Sequence, residues 1–225
     1  MAIAVCHDDR IRLLSSVLLL TPFVDENPGW APHALKVSAL AYLQPYHAHP
    51  CIQATREIAR EQWISAFMCY AVLLDNDFTS LTPRASAVPR GYDMEFVTIF
   101  ERYHYPDLLR RFYADAQLDK LWAATAREWE TVLDECRQIL DRGRIEEFIG
   151  LVGNDVLTAL RCIPTPLLPA SFGFGPNDGR IAYSIIGPPT VRPGQGSPVS
   201  YASWGLDLSE MVFHEFAHTL IGQAI

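Results

Sequence analysis

Positive charge is scarce in this sequence: 18 Lys and Arg stand against 26 Asp and Glu, a net charge of -8 over 225 residues. Phosphate binding needs a concentrated basic surface, and these cations are scattered, so no nucleic-acid partner is expected. The five cysteines, Cys6, Cys51, Cys69, Cys136 and Cys162, are odd in number and show no CxxC spacing. Neither a thiolate zinc site nor a disulfide framework is indicated, and the pattern fits a reducing, cytoplasmic compartment. No apolar run reaches the length of a membrane-spanning helix. The apolar stretch from Leu13 to Leu20 follows Asp8 and Asp9 and precedes no small-residue cleavage pattern, so no signal peptide is expected. Internal repeats, phosphate-cradling glycine motifs and GxSxG are also missing, which leaves nucleotide-binding and serine-hydrolase chemistry without a starting residue.

What is present is ordinary globular composition, 49% hydrophobic and 20% charged, in a chain long enough for one large core. Residues 1–155 read as mainly helical. Apolar residues recur at helical spacing from Asp9 to Leu20, again from Pro32 to Gln44, and in one or two helices from Cys51 to Leu74. In Tyr46-His-Ala-His49-Pro50 the two histidines read as a polar loop or the start of a helix rather than as metal ligands. Asp75-Asn-Asp77 lacks the ligand spacing of a calcium loop and reads as a solvated turn. From Tyr92 to Gly150 the pattern is helical almost throughout, with breaks at Tyr105-Pro106 and Arg142-Gly143.

The character changes near Val156. Prolines interrupt a Val/Leu/Ile-rich run, Ser171 to Gly175 alternates aromatic and small residues, and Pro176-Asn-Asp-Gly179 is a strong turn signal before a strand from Arg180 to Ile186. A hairpin or small sheet is therefore expected just before the last helix, serving as core support or as an edge strand for an extended peptide. Gly187 to Ser200 reads as a loop.

The last helix carries the chemistry. Asp207-Leu-Ser-Glu-Met-Val-Phe-His214-Glu215-Phe-Ala-His218 contains HExxH. On a helix, residues four apart stand one above the other, so His214 and His218 can place imidazole nitrogens on one cation. Glu215, about 100° further round, can hold a water there. Asp207 with Glu210 resembles a capping box, Leu206 and Met211 a hydrophobic staple, and the surrounding residues are apolar nearly all round, as in a buried helix. Residue frequencies make a chance HExxH roughly a one in a hundred event in such a chain. Two buried imidazoles and a carboxylate without a cation or partners would cost several kcal/mol.

With uncharged Phe216, Ala217 and Thr219 and hydrophobic Leu220, this helix resembles the zincin metallopeptidases. Asp9-Arg-Ile-Arg-Leu-Leu-Ser, His49-Pro-Cys-Ile through Ala71-Val-Leu-Leu, Ala182-Tyr-Ser-Ile-Ile-Gly187 and Phe213-His-Glu-Phe-Ala-His218 are similar, in order, to landmarks of a bacterial family of unknown function in that clan. The resemblance implies a single zincin-like domain over residues 1–225, α+β and predominantly α. It also implies Zn2+ held in the gluzincin manner by His214, His218 and a downstream glutamate.

The sequence departs from that pattern, because Thr219 to Ile225 contains no His, Asp or Glu. Nor does the metzincin extension fit, with Ile221 in place of its glycine and Ala224 in place of its third histidine. A catalytic zinc normally has three protein ligands, so the third is expected beyond Ile225, the sequence stopping inside an apolar helix without a stop signal. His47, His49 and His104 are upstream alternatives that no spacing selects.

The leading expectation is zinc-dependent hydrolysis of a peptide or protein substrate, with Glu215 as general base. Tyr183, Tyr201 and His104 are candidate oxyanion donors without a distinguishing signal. The competing expectations are a non-catalytic or regulatory metal-binding protein with an incomplete site, and a helical interaction module with a chance HExxH.

Overall fold

The computed structural model describes residues 2–24, 31–84, 95–143, 158–192 and 199–221. It begins with strand β1 (Ile3–Val5) and helices α1 (Asp9–Leu18), α2 (Ala34–Leu43), α3 (Pro50–Ile58) and α4 (Ile64–Leu73). Helices α5 (Glu95–Arg102), α6 (Tyr105–Asp115), α7 (Leu118–Ala124) and α8 (Ala126–Gly143) follow. Strands β2 (Ala159–Pro164), β3 (Gly173–Phe174) and β4 (Ile181–Ile186) then lead to α9 (Leu206–Ile221). The class is α+β, predominantly helical, with one small sheet. No helix among the described residues is long and apolar enough to cross a membrane.

Helix α1 starts where Asp8, in extended conformation, accepts the Arg10 amide, an N-cap that satisfies one of the orphan donors of the first turn. Every residue from Arg10 to Leu18 is buried, so this helix is the axle of the helical part. It carries two buried cations. The Arg12 guanidinium lies 4.5 Å from the Trp122 ring and 4.8 Å from the Trp129 ring and pairs with Asp9. Those tryptophans, on α7 and α8, thus complete the core while holding a charge by cation–π contact.

Histidines start two helices. His33 and His49 each turn Nδ1 toward the amide two residues on, Leu35 and Cys51, at 3.1 Å. His49 is therefore a cap, with its Nε2 3.2 Å from Asp115. The segment after Asp75 is the expected turn, Asp77 accepting from the amide and hydroxyl of Thr79. The run from α5 to α8 has the expected break at Tyr105-Pro106, where α6 begins, and two further breaks that its periodicity does not predict. Left-handed residues at His104 and Gln117 separate α5, α6 and α7, and Thr125 separates α7 from α8. The expected extensions over 92–94 and 144–150 lie outside the described residues.

The sheet has the order β1-β2-β4-β3. β1, β2 and β4 are parallel, with Val5 beside Cys162 and Cys162 beside Ser184; β3 runs antiparallel to β4 as the edge. The expected hairpin is β3–β4. It is one edge of a larger sheet, whose far strand β1 comes from the opposite end of the chain. Side chains alternate between faces along β4. Tyr183 reaches Arg10 on the α1 side, and α9 packs against the strand.

Candidate metal centre

Helix α9 lies against β4, the edge strand β3 and α8. Leu208, Val212 and Phe216, four residues apart, are fully buried and form its floor. At about 100° per residue, His214 and His218 point away from that floor, and both are exposed. Glu215 falls at the seam between the two faces and is only 8% exposed. The helix is thus buried on one side and open on the histidine side, where Asp207 and Glu210 are exposed as well. This corrects the expectation of a fully buried helix. Exposed imidazoles incur little desolvation, so no cation is needed to offset their burial.

The expected cap differs too. The helix begins at Leu206, one residue ahead of Asp207, which lies in the first turn. Leu206 is 63% exposed and, as the first residue of the helix, does not stand at the staple position. Gly205, at φ +54, instead turns the chain into the helix.

The Nε2 atoms of His214 and His218 stand 2.9 Å apart, with their rings edge to face. Two nitrogens this close can share one zinc at bond lengths of about 2.0–2.1 Å, with a slight opening toward the tetrahedral spread. The donor pair therefore fits a first-row metal. Among the described residues no group of three His, Cys, Asp or Glu side chains is placed to hold one. The upstream alternatives lie elsewhere. His47 contacts the Gln44 carbonyl, His49 caps α3, and His104 occupies a left-handed turn before α6.

Glu215 lies beneath the edge strand. Burial raises its carboxyl above the ordinary carboxylate range, against an opposing pull from His214 and His218. What brings strand and helix so close is Gly173-Phe-Gly175, whose two glycines share one face by the two-residue period of a strand. A Cβ on either would collide with Glu215. Thr219, one turn beyond Glu215, donates to the Gly175 carbonyl at 2.8 Å and fastens the same contact. Sequence reasoning missed Gly173, Gly175 and Thr219 as parts of the site, although the small-aromatic alternation of this segment was the signal for the glycines.

The ladder also orients the strand. The bonds Gly187 N–H to Phe172 and Tyr183 N–H to Pro176 mark hydrogen-bonded pairs. Alternation then directs the Gly173 N–H and C=O outward, along the edge of the sheet. The tyrosines are committed elsewhere. Tyr183 bonds with Arg10 and Asp178 on the other face of the sheet, and Tyr201, fully buried, donates to the Ile186 carbonyl. Compared with known proteins, the chain matches no family model, no curated protein and no solved structure.

Proposed function

We propose that this protein is a zinc-dependent metallopeptidase of the HExxH type. The observation that carries the reading is the arrangement on α9, with two histidine Nε2 atoms 2.9 Å apart on an open face and a buried carboxylate at its seam. His214 and His218 hold the metal. Zinc, when bound, supplies a Lewis acid that acidifies water and polarises a peptide carbonyl. Glu215 takes the proton from the attacking water and hands it to the departing amine. Its placement beneath an edge strand suits an extended peptide, which can pair with the outward N–H and C=O of Gly173. Such a substrate would lie across the seam where Glu215 emerges.

The test combines metal content with hydrolysis. In equilibrium dialysis across a zinc titration, the parent should bind one zinc per chain, weakly as two ligands allow, and His214→Ala and His218→Ala should lose that binding. Glu215→Gln should keep the zinc and lose roughly 10²–10⁴-fold in cleavage of a fluorogenic peptide library. Full activity of zinc-loaded Glu215→Gln would remove Glu215 from the mechanism.

A second reading, a non-catalytic or regulatory metal-binding protein, is favoured by the presence of only two converging ligands among the described residues. It predicts zinc-dependent stability without hydrolysis. Equal and negligible metal in the parent and both histidine variants would favour an interaction module with a chance motif.

A further inference from the structure

The two glycines of the edge segment meet the same residue of α9 in different ways. A Cβ on Gly175 would lie 2.1 Å from the Glu215 carbonyl oxygen and 2.8 Å from its carbonyl carbon, main-chain atoms fixed by the helix. A Cβ on Gly173 would lie 2.5 Å from Oε1 and 3.2 Å from Cδ, the tip of a flexible side chain. Gly175 therefore sets how closely strand and helix approach. Gly173 leaves free the volume that the carboxylate fills.

Glu215 is 8% exposed, and its Oε1 and Cδ are the atoms nearest the missing Gly173 side chain, so the close approach of the strand bounds where the carboxylate stands. The backbone at Gly173 is not left-handed, since Gly179 and Gly205 are the only described glycines with positive φ. Alanine is thus conformationally allowed at 173, and only the neighbour opposes it.

We propose that Gly173 is the positioning residue for Glu215: its missing side chain is the slot that lodges the carboxylate between the sheet edge and the histidine face. The catalytic consequence rests on the peptidase reading; the steric one does not. A methyl group in the slot pushes the carboxylate outward. The general base is then displaced while the metal ligands, on another face of the helix, stay in place.

Two sets of variants test this. In urea denaturation, Gly173→Ala should destabilise the chain with Glu215 present and should be nearly neutral in the Glu215→Ala background, where the methyl enters vacated space. In the zinc-supplemented chain, Gly173→Ala should leave metal content unchanged and KM within about twofold while kcat falls roughly tenfold to a hundredfold. Combined with Glu215→Asp, whose carboxylate stands one methylene further back, Gly173→Ala should cost less than about twofold in kcat.

Additive effects in the stability cycle would overturn the proposal, as would equal unfolding by Gly173→Ala in both backgrounds, which would make Gly173 a backbone requirement only. Should the zinc-loaded parent cleave nothing, the peptidase reading fails by itself, and the stability cycle still decides whether the slot exists.

Discussion

Two polar constellations of this molecule are built on opposite terms. The first is buried. All five N–H groups of the Arg10 guanidinium are engaged, two by Asp8, two by the carbonyls of Val72 and Leu74, and one by Tyr183. Tyr183 donates in turn to Asp178, which also accepts from Arg84 and from the amides of Arg180 and Ile181. Burial would raise the Asp178 carboxyl, but these donors overcome it and hold the group below its ordinary range. The second constellation, His214 and His218, is exposed and has one mutual contact. A buried charge must be fully partnered or the chain does not fold around it, so the first set is bound to stability. The second set costs the fold little whatever residues stand there. Its residue types and spacing therefore ask for a role other than holding the structure together.

The largest effect is expected where the first constellation is opened. Arg10→Met should leave the buried Asp8 carboxylate without its countercharge, holding only the backbone amide of residue 10, and the Leu74 carbonyl without its donor, a loss of about 3–5 kcal/mol visible in the urea midpoint. Adding Asp8→Asn removes the stranded charge and should restore part of that loss. A cost below about 1 kcal/mol for Arg10→Met would mean that the network is not a stability device. The contrast drawn between the two regions would then collapse.

Between the extremes stands His33, a single buried imidazole that accepts the Leu35 amide and packs edge-on against Tyr201. Burial pushes its pKa down to about 4. Because the folded state keeps the ring neutral while the unfolded chain binds a proton below about 6.5, this stability is complete above pH 6.5. It drains away as the pH falls toward 4, by up to about 3 kcal/mol. His33→Asn keeps an acceptor for the amide and cannot titrate. Its stability should therefore be flatter than the parent's between pH 6.5 and 4, and identical slopes in that window would refute the assignment.

The sequence makes the local parts of this design readable and hides the non-local ones. His49 as a helix start and the Pro176-Asn-Asp-Gly179 turn depend on neighbours in the chain, and each stands where the pattern puts it. β1 does not, because three residues carry too little periodicity and their pairing with β2 spans most of the chain. The partners of Arg10 are non-local as well, because α4 brings the Val72 and Leu74 carbonyls to it. The same holds at the candidate metal centre. HExxH places three side chains within one arc, but only the packing of α9 against β3 buries Glu215 and leaves both histidines open. The breaks at Gln117 and Thr125 were hidden by an apolar stripe that continues across them, through Leu118, Leu121 and Trp129.

The smallest effect is expected at the exposed pair, and its smallness is informative. Without metal, His214→Ala should change unfolding stability by no more than about 0.5 kcal/mol, the range of surface substitutions away from structural features. With zinc at a hundred times its dissociation constant, a chain that binds it only when folded gains about 2.7 kcal/mol, and the variant should gain nothing. The two measurements separate a ligand from a packing residue. A packing histidine would weaken the fold equally with and without zinc, whereas a ligand weakens it only when zinc is present. Equal loss in both conditions would move His214 into the same class as Arg10, and leave the exposed face of α9 without the role its spacing indicates.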